Sequence, residues 1–86
     1  MASDLRRRAI CKHLARLLRE ERERQGLSLN ALAARAGISR QTVSFIEQEE
    51  RNPTVDTLLR VTDALGVQLD DLLKKARKRA AANQTR

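Results

Sequence analysis

Aromatic residues are almost absent from this chain, since Phe45 is the only one among 86 residues. A core without further rings must be built from Leu, Ile, Val and Ala, and this composition favours helices over sheet. One proline and three glycines leave little material for turns, so the connections between elements should be few and short. The lack of rings also argues against binding of single-stranded nucleic acid, which needs several aromatic platforms for base stacking.

Cysteine and histidine are equally scarce, with one residue of each, Cys11 and His13. A single thiol cannot form an internal disulfide, which agrees with a reducing compartment, and we expect Cys11 to act as a partly buried small hydrophobe. One Cys and one His are too few to hold a metal ion. The acids stand without a partnered nucleophile and there is no glycine-rich phosphate loop, so the sequence predicts neither a cofactor nor an enzyme.

Long apolar stretches are missing as well, because no run reaches the ~20 residues that a membrane-spanning helix needs. The N-terminus passes from Met1 almost directly into Arg6, Arg7 and Arg8, which is unlike a signal peptide. We therefore expect a cytoplasmic protein without a membrane partner.

Positive charge is abundant, with 18 Lys and Arg against 11 Asp and Glu and a net charge of +7. Residues 1–25 carry eight basic and four acidic residues, residues 74–86 carry six basic and no acidic ones, and the intervening residues carry four basic and seven acidic ones. A mildly acidic body with basic ends indicates a polyanionic partner, because Lys and Arg neutralise phosphates and release counterions. The alternative is that the charges serve only solubility in flexible ends.

Residues 29–46 form the most informative stretch, which we interpret as two short helices joined at an abrupt corner. The first half has an apolar face at helical spacing, made by Leu29, Leu32, Ala33 and Ala36. Gly37 can adopt the left-handed conformation that ends a helix, and Ser39 can cap the next one. A small residue, a glycine four positions later and a β-branched residue six beyond it form the helix-turn-helix pattern; Ala33, Gly37 and Val43 fill these places.

The segments on either side of this stretch add further motifs. They are Gln25-Gly26-Leu27-Ser28 before it, and Glu47, Arg51-Asn52-Pro53-Thr54, Ala64-Leu65-Gly66-Val67 and Leu69-Asp70-Asp71-Leu72-Leu73 after it. Together with the helix-turn-helix pattern, these motifs resemble the Xre/Cro-type, lambda-repressor-like DNA-binding domain over roughly residues 10–74. The resemblance implies an all-α fold of five helices, in which helices 2 and 3 form the helix-turn-helix.

The flanking helices can be placed from the spacing of apolar residues. A first helix is predicted over residues 5–25, a fourth after Pro53 and a fifth from about Leu69. The fourth helix should bury one face, formed by Val55, Leu58, Leu59, Thr62 and Leu65. No apolar stripe continues beyond Ala76, so we expect a helix-turn-helix domain over residues 1–76 and a basic, flexible tail over residues 77–86.

The third helix should present its outward face to the major groove of double-stranded DNA. If Val43 and Ile46 face the core, the outward residues are Arg40, Gln41, Ser44, Phe45 and Gln48. Arg40 has a fork of donors suited to guanine, Gln41 can both donate to and accept from adenine, and Ser44 would reach a base only on close approach. We therefore predict base contacts from Arg40, Gln41, Ser44 and Phe45.

Phe45 allows two interpretations, because related proteins often have a polar or basic residue at this place. In the first, the ring contacts a thymine methyl group, which is a known form of base readout. In the second, the ring folds beside Val43, packs against the following loop or lies in a contact between subunits.

By resemblance, phosphate contacts belong to polar residues at helix N-termini and in the loop after the third helix. The candidates are Ser28, Asn30, Ser39, Thr42, Gln48, Arg51 and Asn52. Related proteins often have Gly-Lys where this chain has Glu49-Glu50, and two acids beside a phosphate backbone should weaken binding. The basic ends can compensate along flanking DNA, either through residues 6–8 or through the basic residues of 74–79.

The resemblance implies a sequence-specific transcriptional regulator, which we expect to act as a repressor and as a homodimer on a near-palindromic operator. The fourth and fifth helices are the expected dimer surface. Alternatives with the same fold are an antitoxin and the controller of a restriction-modification system, and a toxin or a polymerase would then be a protein partner. Glu49, Glu50 and an exposed Phe45 also leave open a protein-interaction module that does not bind DNA.

Overall fold

The computed structural model describes residues 2–84, in which the chain forms five helices and no strand. They are α1 (Ala2–Arg24), α2 (Leu29–Ala36), α3 (Arg40–Glu47), α4 (Val55–Leu65) and α5 (Leu69–Gln84). The all-α, five-helix fold predicted from the sequence is thereby confirmed. The first helix begins three residues earlier than expected, and its last residue is Arg24 rather than Gln25.

Hydroxyl side chains start the three central helices. The side-chain oxygens of Ser28, Ser39 and Thr54 accept hydrogen bonds from the backbone N–H groups three residues later, at 3.0, 3.0 and 3.1 Å. Each bond satisfies one of the N–H groups that a helix N-terminus leaves without an intrahelical partner. The connections can therefore stay short without leaving buried polar backbone groups unsatisfied.

The core lies where the five helices meet, and its hydrophobic members are all aliphatic. Its most deeply buried members are Leu18 of α1, Leu32 of α2, Val43 of α3, Val61 of α4 and Ala76 of α5. Around these residues pack further Leu, Ile, Val and Ala side chains, as the near absence of aromatic residues required.

The buried face of α4 differs from the predicted one. Val61, Thr62 and Leu65 are buried, whereas Val55 and Leu59 are 67% and 44% exposed. The prediction is confirmed for Thr62 and Leu65 and for Leu58, which packs against the core, and it was wrong for Val55 and Leu59. Val61 is buried in place of Leu59 because these two residues lie on opposite sides of the helix at 100° per residue. Thr62 is tolerated in the core because its hydroxyl donates to the backbone carbonyl of Leu58 at 3.0 Å.

The segment after Ala76 also differs from the expected flexible tail, because α5 continues as a helix to Gln84. Ala76 and Ala80, four residues apart, are 0% and 2% exposed on the side of α5 that packs on α1. Arg79 makes two hydrogen bonds to the Glu20 carboxylate, at 3.0 and 3.1 Å. Two alanines do not stand out as an apolar stripe, yet their small size lets two helices pack closely. Residues 85 and 86 of the expected tail lie outside the described residues.

An ion pair between Arg22 and Glu47 connects the end of α1 to the end of α3. The Arg22 Nε and Nη2 groups donate to the two carboxylate oxygens of Glu47 at 2.7 and 2.9 Å, and Nη1 donates to the carbonyl of Leu27 at 2.7 Å. The Glu47 side chain is only 6% exposed. Hydrogen bonding to Glu47 raises the pKa of the Arg22 guanidinium. This two-pronged pair fixes the C-terminal end of α3 against α1.

Removal of one partner of this ion pair should destabilise the protein strongly. We expect Glu47→Ala to lower the free energy of unfolding by about 3–5 kcal/mol, because the Arg22 charge is left in a buried site without its carboxylate. Glu23→Ala is the control, since Glu23 is exposed and pairs with Arg19 only at the surface; its effect should stay below about 1 kcal/mol. Urea unfolding followed by circular dichroism measures both, and equal effects would contradict the role assigned to the pair.

The packing of α5 on α1 can be tested with two adjacent alanines. Ala80 is buried and Ala81 is exposed. Both aspartate substitutions carry the same small loss of helix propensity, but only Ala80→Asp forces a carboxylate against α1, which should cost about 2 kcal/mol or more. Thermal unfolding of Ala80→Asp and Ala81→Asp compares them directly. Identical melting temperatures would mean that residues 77–84 contribute no packing.

Candidate nucleic-acid interface

The corner between α2 and α3 consists of Gly37, Ile38 and Ser39. Gly37 has φ +71° and ψ +33°, the left-handed conformation, and the N–H of Ile38 returns to the carbonyl of Ala33 at 3.1 Å. Ala33 and Val43 are both buried. The three residues of the helix-turn-helix pattern thus do what the pattern requires, and α3 is held by its apolar side with the opposite side outward.

The outward side of α3 carries the five residues predicted to face out. Arg40, Gln41 and Gln48 are exposed, and Ser44 and Phe45 are half-buried. The Gln48 amide donates to the Ser44 hydroxyl at 3.1 Å, so these two polar groups already contact each other in the free protein. Arg40 and Gln41, in the first turn, have no such contact within the described part of the chain. Their side chains are therefore available for a partner.

Phe45 contacts the loop that follows its helix. The guanidinium carbon of Arg51 lies 4.8 Å from the centroid of the Phe45 ring, which is a cation–π geometry. This contact agrees with the interpretation in which the ring packs against the following loop. It also positions Arg51, a predicted phosphate-binding residue, next to α3. The contact with a thymine methyl stays a prediction.

The N-termini of α2 and α3 each combine an exposed serine cap with further polar groups. Ser28 and Asn30 are exposed at the start of α2. Ser39 at the start of α3 accepts from the Thr42 N–H and lies 2.7 Å from the Thr42 hydroxyl. The serine hydroxyls are used as caps, which leaves other first-turn N–H groups and the partial positive charge of the helix end for an anion.

The backbone after α3 explains a departure noted in the sequence. Glu49 has φ +63°, and the N–H groups of Glu49 and Glu50 return to the carbonyls of Ile46 and Phe45 at 3.2 and 3.0 Å. This is the helix ending that usually has a glycine at the left-handed position. From the sequence we considered only the charge of Glu49, although related proteins often have glycine there. In the structure its side chain occupies a backbone position suited to glycine, at a cost of about 1–2 kcal/mol.

The ion pair of Arg22 and Glu47 was missed by the sequence analysis, although it positions α3. Glu47 was noted only as one of the family motifs, and its partner lies 25 residues earlier, beyond the reach of local spacing rules. A buried acid in an otherwise apolar face of α3 was the available signal, because a buried carboxylate requires a cationic partner.

Other kinds of site find no support in residues 2–84. Within them, no three residues of the metal-binding types His, Cys, Asp and Glu lie close enough together to hold a metal ion. None of the helices in the described range combines the length and hydropathy needed to span a membrane. The feature that distinguishes this surface is the exposed face of α3.

Comparison with known proteins agrees with this geometry. A family model described as Helix-turn-helix matches residues 18–72. An uncharacterized HTH-type transcriptional regulator of Sinorhizobium fredii, y4dJ, is 43% identical over 61 residues, which are 71% of this chain and 74% of the relative. The chain spans 22% of the length of other curated relatives that it matches at 39% identity.

Two solved structures share the fold. The clp gene regulator ClgR from Corynebacterium glutamicum superposes with a TM-score of 0.79 at 26% identity, over 88% of this chain and 81% of that one. The restriction-modification controller protein C.AhdI from Aeromonas hydrophila superposes with a TM-score of 0.68 at 32% identity, over 73% and 94%. The chain therefore belongs to the helix-turn-helix family of the Xre, or lambda-repressor-like, type, whose members matched here are transcriptional regulators and not enzymes.

Proposed function

We propose that this protein is a transcriptional repressor that binds a near-palindromic operator in double-stranded DNA as a homodimer, in the cytoplasm. The observation that carries the proposal is the outward face of α3, where Arg40 and Gln41 are exposed while Val43 and Ile46 anchor the other side. A helix of this kind fits the major groove, and its first turn comes nearest to the base edges.

Residues in the first two turns of α3 contact the bases. Arg40 donates a pair of hydrogen bonds to O6 and N7 of a guanine, and Gln41 pairs with N6 and N7 of an adenine. Ser44 contacts a base only if its hydrogen bond with Gln48 is given up. Phe45 contributes an apolar contact to a thymine methyl.

Phosphate contacts on both sides of the groove position α3. Ser28 and Asn30 act at the N-terminus of α2, and Ser39 and Thr42 act at the N-terminus of α3. Beyond the other end of α3, Gln48, Arg51 and Asn52 are exposed. In the proposed complex they contact phosphates of the second strand. Glu49 and Glu50 lie in the same loop, so this part of the surface binds phosphate less strongly than its arginine alone would.

Dimer formation supplies the remaining affinity. One such domain reads about half a turn of DNA, and a twofold dimer places two recognition helices about 34 Å apart on the same side of the duplex. The dimer surface is formed by α4 and α5, where Val55 and Leu59 are exposed apolar side chains on α4. A dimer bound across a promoter represses by excluding the polymerase.

A second candidate is the control of a restriction-modification system. The similarity to C.AhdI, itself a restriction-modification controller, favours this candidate. It uses the same DNA-binding surface and differs in the genes controlled. Restriction and methyltransferase genes beside the coding sequence would support it, and their absence would exclude it.

Selection of bound duplexes from a random pool tests the proposed function. We expect enrichment of an inverted repeat whose half-sites lie about one helical turn apart, and a hydrodynamic mass of two chains on DNA. Protein that remains one chain per duplex at tens of micromolar would contradict the homodimer. Binding without any enriched sequence would contradict the proposed regulator.

The two base-reading residues should each govern particular operator positions. Arg40→Ala and Gln41→Ala are each expected to cost about 1–3 kcal/mol of discrimination at one base pair per half-site. Lys74→Ala on α5 removes one charge as Arg40→Ala does, but it should leave the base preference unchanged. Competition between the operator and single-base variants measures the preference, and an unchanged preference in Arg40→Ala would exclude Arg40 from base contact.

Glu49 should limit both stability and DNA affinity, through different properties. Glu49→Gly relieves the left-handed backbone, so the free energy of unfolding should rise by about 1 kcal/mol. Glu49→Ala removes the same charge but keeps the backbone cost. Both variants should therefore bind DNA more tightly, whereas only the glycine variant should be more stable. Equal stabilities in urea unfolding would show that the backbone at Glu49 is not strained.

A further inference from the structure

A groove on the surface of the protein lies between the N-terminal half of α1 and the segment that connects α3 to α4. It has a volume of about 560 Å³. Its floor contains Leu14, Leu18 and Ile46, and the last of these belongs to α3. From the other side the groove is closed by loop residues, among them Asn52. The groove therefore begins where the proposed recognition surface ends.

The rim of this groove is strongly basic. Arg7, Arg8 and Lys12 from α1 and Arg51 from the loop line it, and Glu49 is the single acid among the lining residues. Arg7 is already paired with Asp4 at 2.6 Å, an exposed contact. In the described part of the chain, neither Arg8 nor Lys12 has a carboxylate partner. Like charges gathered without counter-charges do not stabilise a fold, so they require another explanation.

The apolar floor does not provide that explanation. Leu14, Leu18 and Ile46 are already 7%, 1% and 5% exposed. These three side chains therefore offer little further apolar surface to a ligand. The uncompensated property of the groove is its charge, and the fitting partner is an anion that extends along the rim.

We propose that this groove binds the phosphodiester backbone of operator DNA next to the base pairs read by α3, with Arg8 and Lys12 as the phosphate-binding residues contributed by α1. The proposal rests on the proposed function. Arg51 and Asn52 are both lining residues of the groove and predicted phosphate contacts of the loop, so α1 and the loop form one continuous surface. The rim cations offset the repulsion by Glu49 and Glu50.

The sequence leaves two basic ends of the chain as candidates for binding flanking DNA, and the structure distinguishes between them. None of the basic residues of α5 lines the groove. Arg79, moreover, is held by Glu20 through two hydrogen bonds. The basic end that adjoins the proposed recognition surface is therefore the N-terminal one, and exposed arginines outside the groove and the proposed dimer surface provide a control of equal charge.

The salt dependence of operator binding tests the proposal. Each phosphate contact contributes about 0.9 to the slope of the logarithm of the binding constant against the logarithm of the salt concentration. Arg8→Gln combined with Lys12→Gln removes four contacts from the proposed homodimer, so it should lower the slope by about 3.6 and weaken specific and non-specific binding alike. Arg16→Gln combined with Arg35→Gln removes the same net charge from exposed sites outside the groove and outside the proposed dimer surface, and it should leave the slope unchanged.

Cys11 provides a second measurement in the wild-type protein. It is the only cysteine, and it lines the groove. The expectation of a partly buried residue was wrong, because Cys11 is exposed on α1. Saturating operator DNA should slow its reaction with N-ethylmaleimide at least tenfold, because the bound backbone covers the thiol. A duplex without the operator, at a concentration too low to bind, should leave the rate unchanged.

The outcomes separate this inference from the proposed function. If the enriched operator is bound but the variant of Arg8 and Lys12 keeps the wild-type slope, or the control variant loses as much, the groove does not bind phosphate and the inference is wrong. An unprotected Cys11 in the operator complex would overturn it as well. If the wild-type protein enriches no sequence at all, the proposed function fails first, and the inference fails with it.

Discussion

The position of the recognition helix depends on one buried ion pair, that of Arg22 and Glu47. The pair connects the last turn of α1 to the last residue of α3. Arg22 also donates a hydrogen bond to the carbonyl of Leu27, so the same side chain holds the α1–α2 connection in place. A helix of eight residues buries too little apolar surface to fix its own orientation. The N-terminal end of α3 is fixed by the corner at Gly37, and the ion pair fixes the other end.

Much of this arrangement could be predicted from the sequence where the signal is local. The corner is defined by Ala33, Gly37 and Val43. The helix N-caps are the residues that the sequence suggests for them, Ser28, Ser39 and Thr54. The outward face of α3 followed from the burial of Val43 and Ile46, so Arg40, Gln41 and Gln48 are exposed as predicted.

The rest depends on contacts between distant parts of the chain. Arg22 and Glu47 are 25 residues apart, and Glu20 and Arg79 are 59 apart, so helical spacing contains no sign of either pair. The continuation of α5 depends on Ala80, which is buried. An alanine adds little to an apolar stripe in the sequence, but its small side chain lets two helices pack closely. The stacking of Arg51 on Phe45 likewise depends on the path of a loop that composition does not determine.

Charge is distributed in the fold in a way that separates strength of binding from its specificity. Phosphate contacts strengthen the binding of every DNA sequence equally, and acids near the backbone weaken it equally, so neither changes the ratio between operator and other DNA. In the proposed complex that ratio is determined by the base contacts of the first turns of α3, which Arg40 and Gln41 make. The cations of α1 and the acids at Glu49 and Glu50 then adjust the overall affinity in opposite directions. A regulator that must leave non-specific DNA to find its operator benefits from such a balance, because excess basic charge would hold it on the wrong sequences.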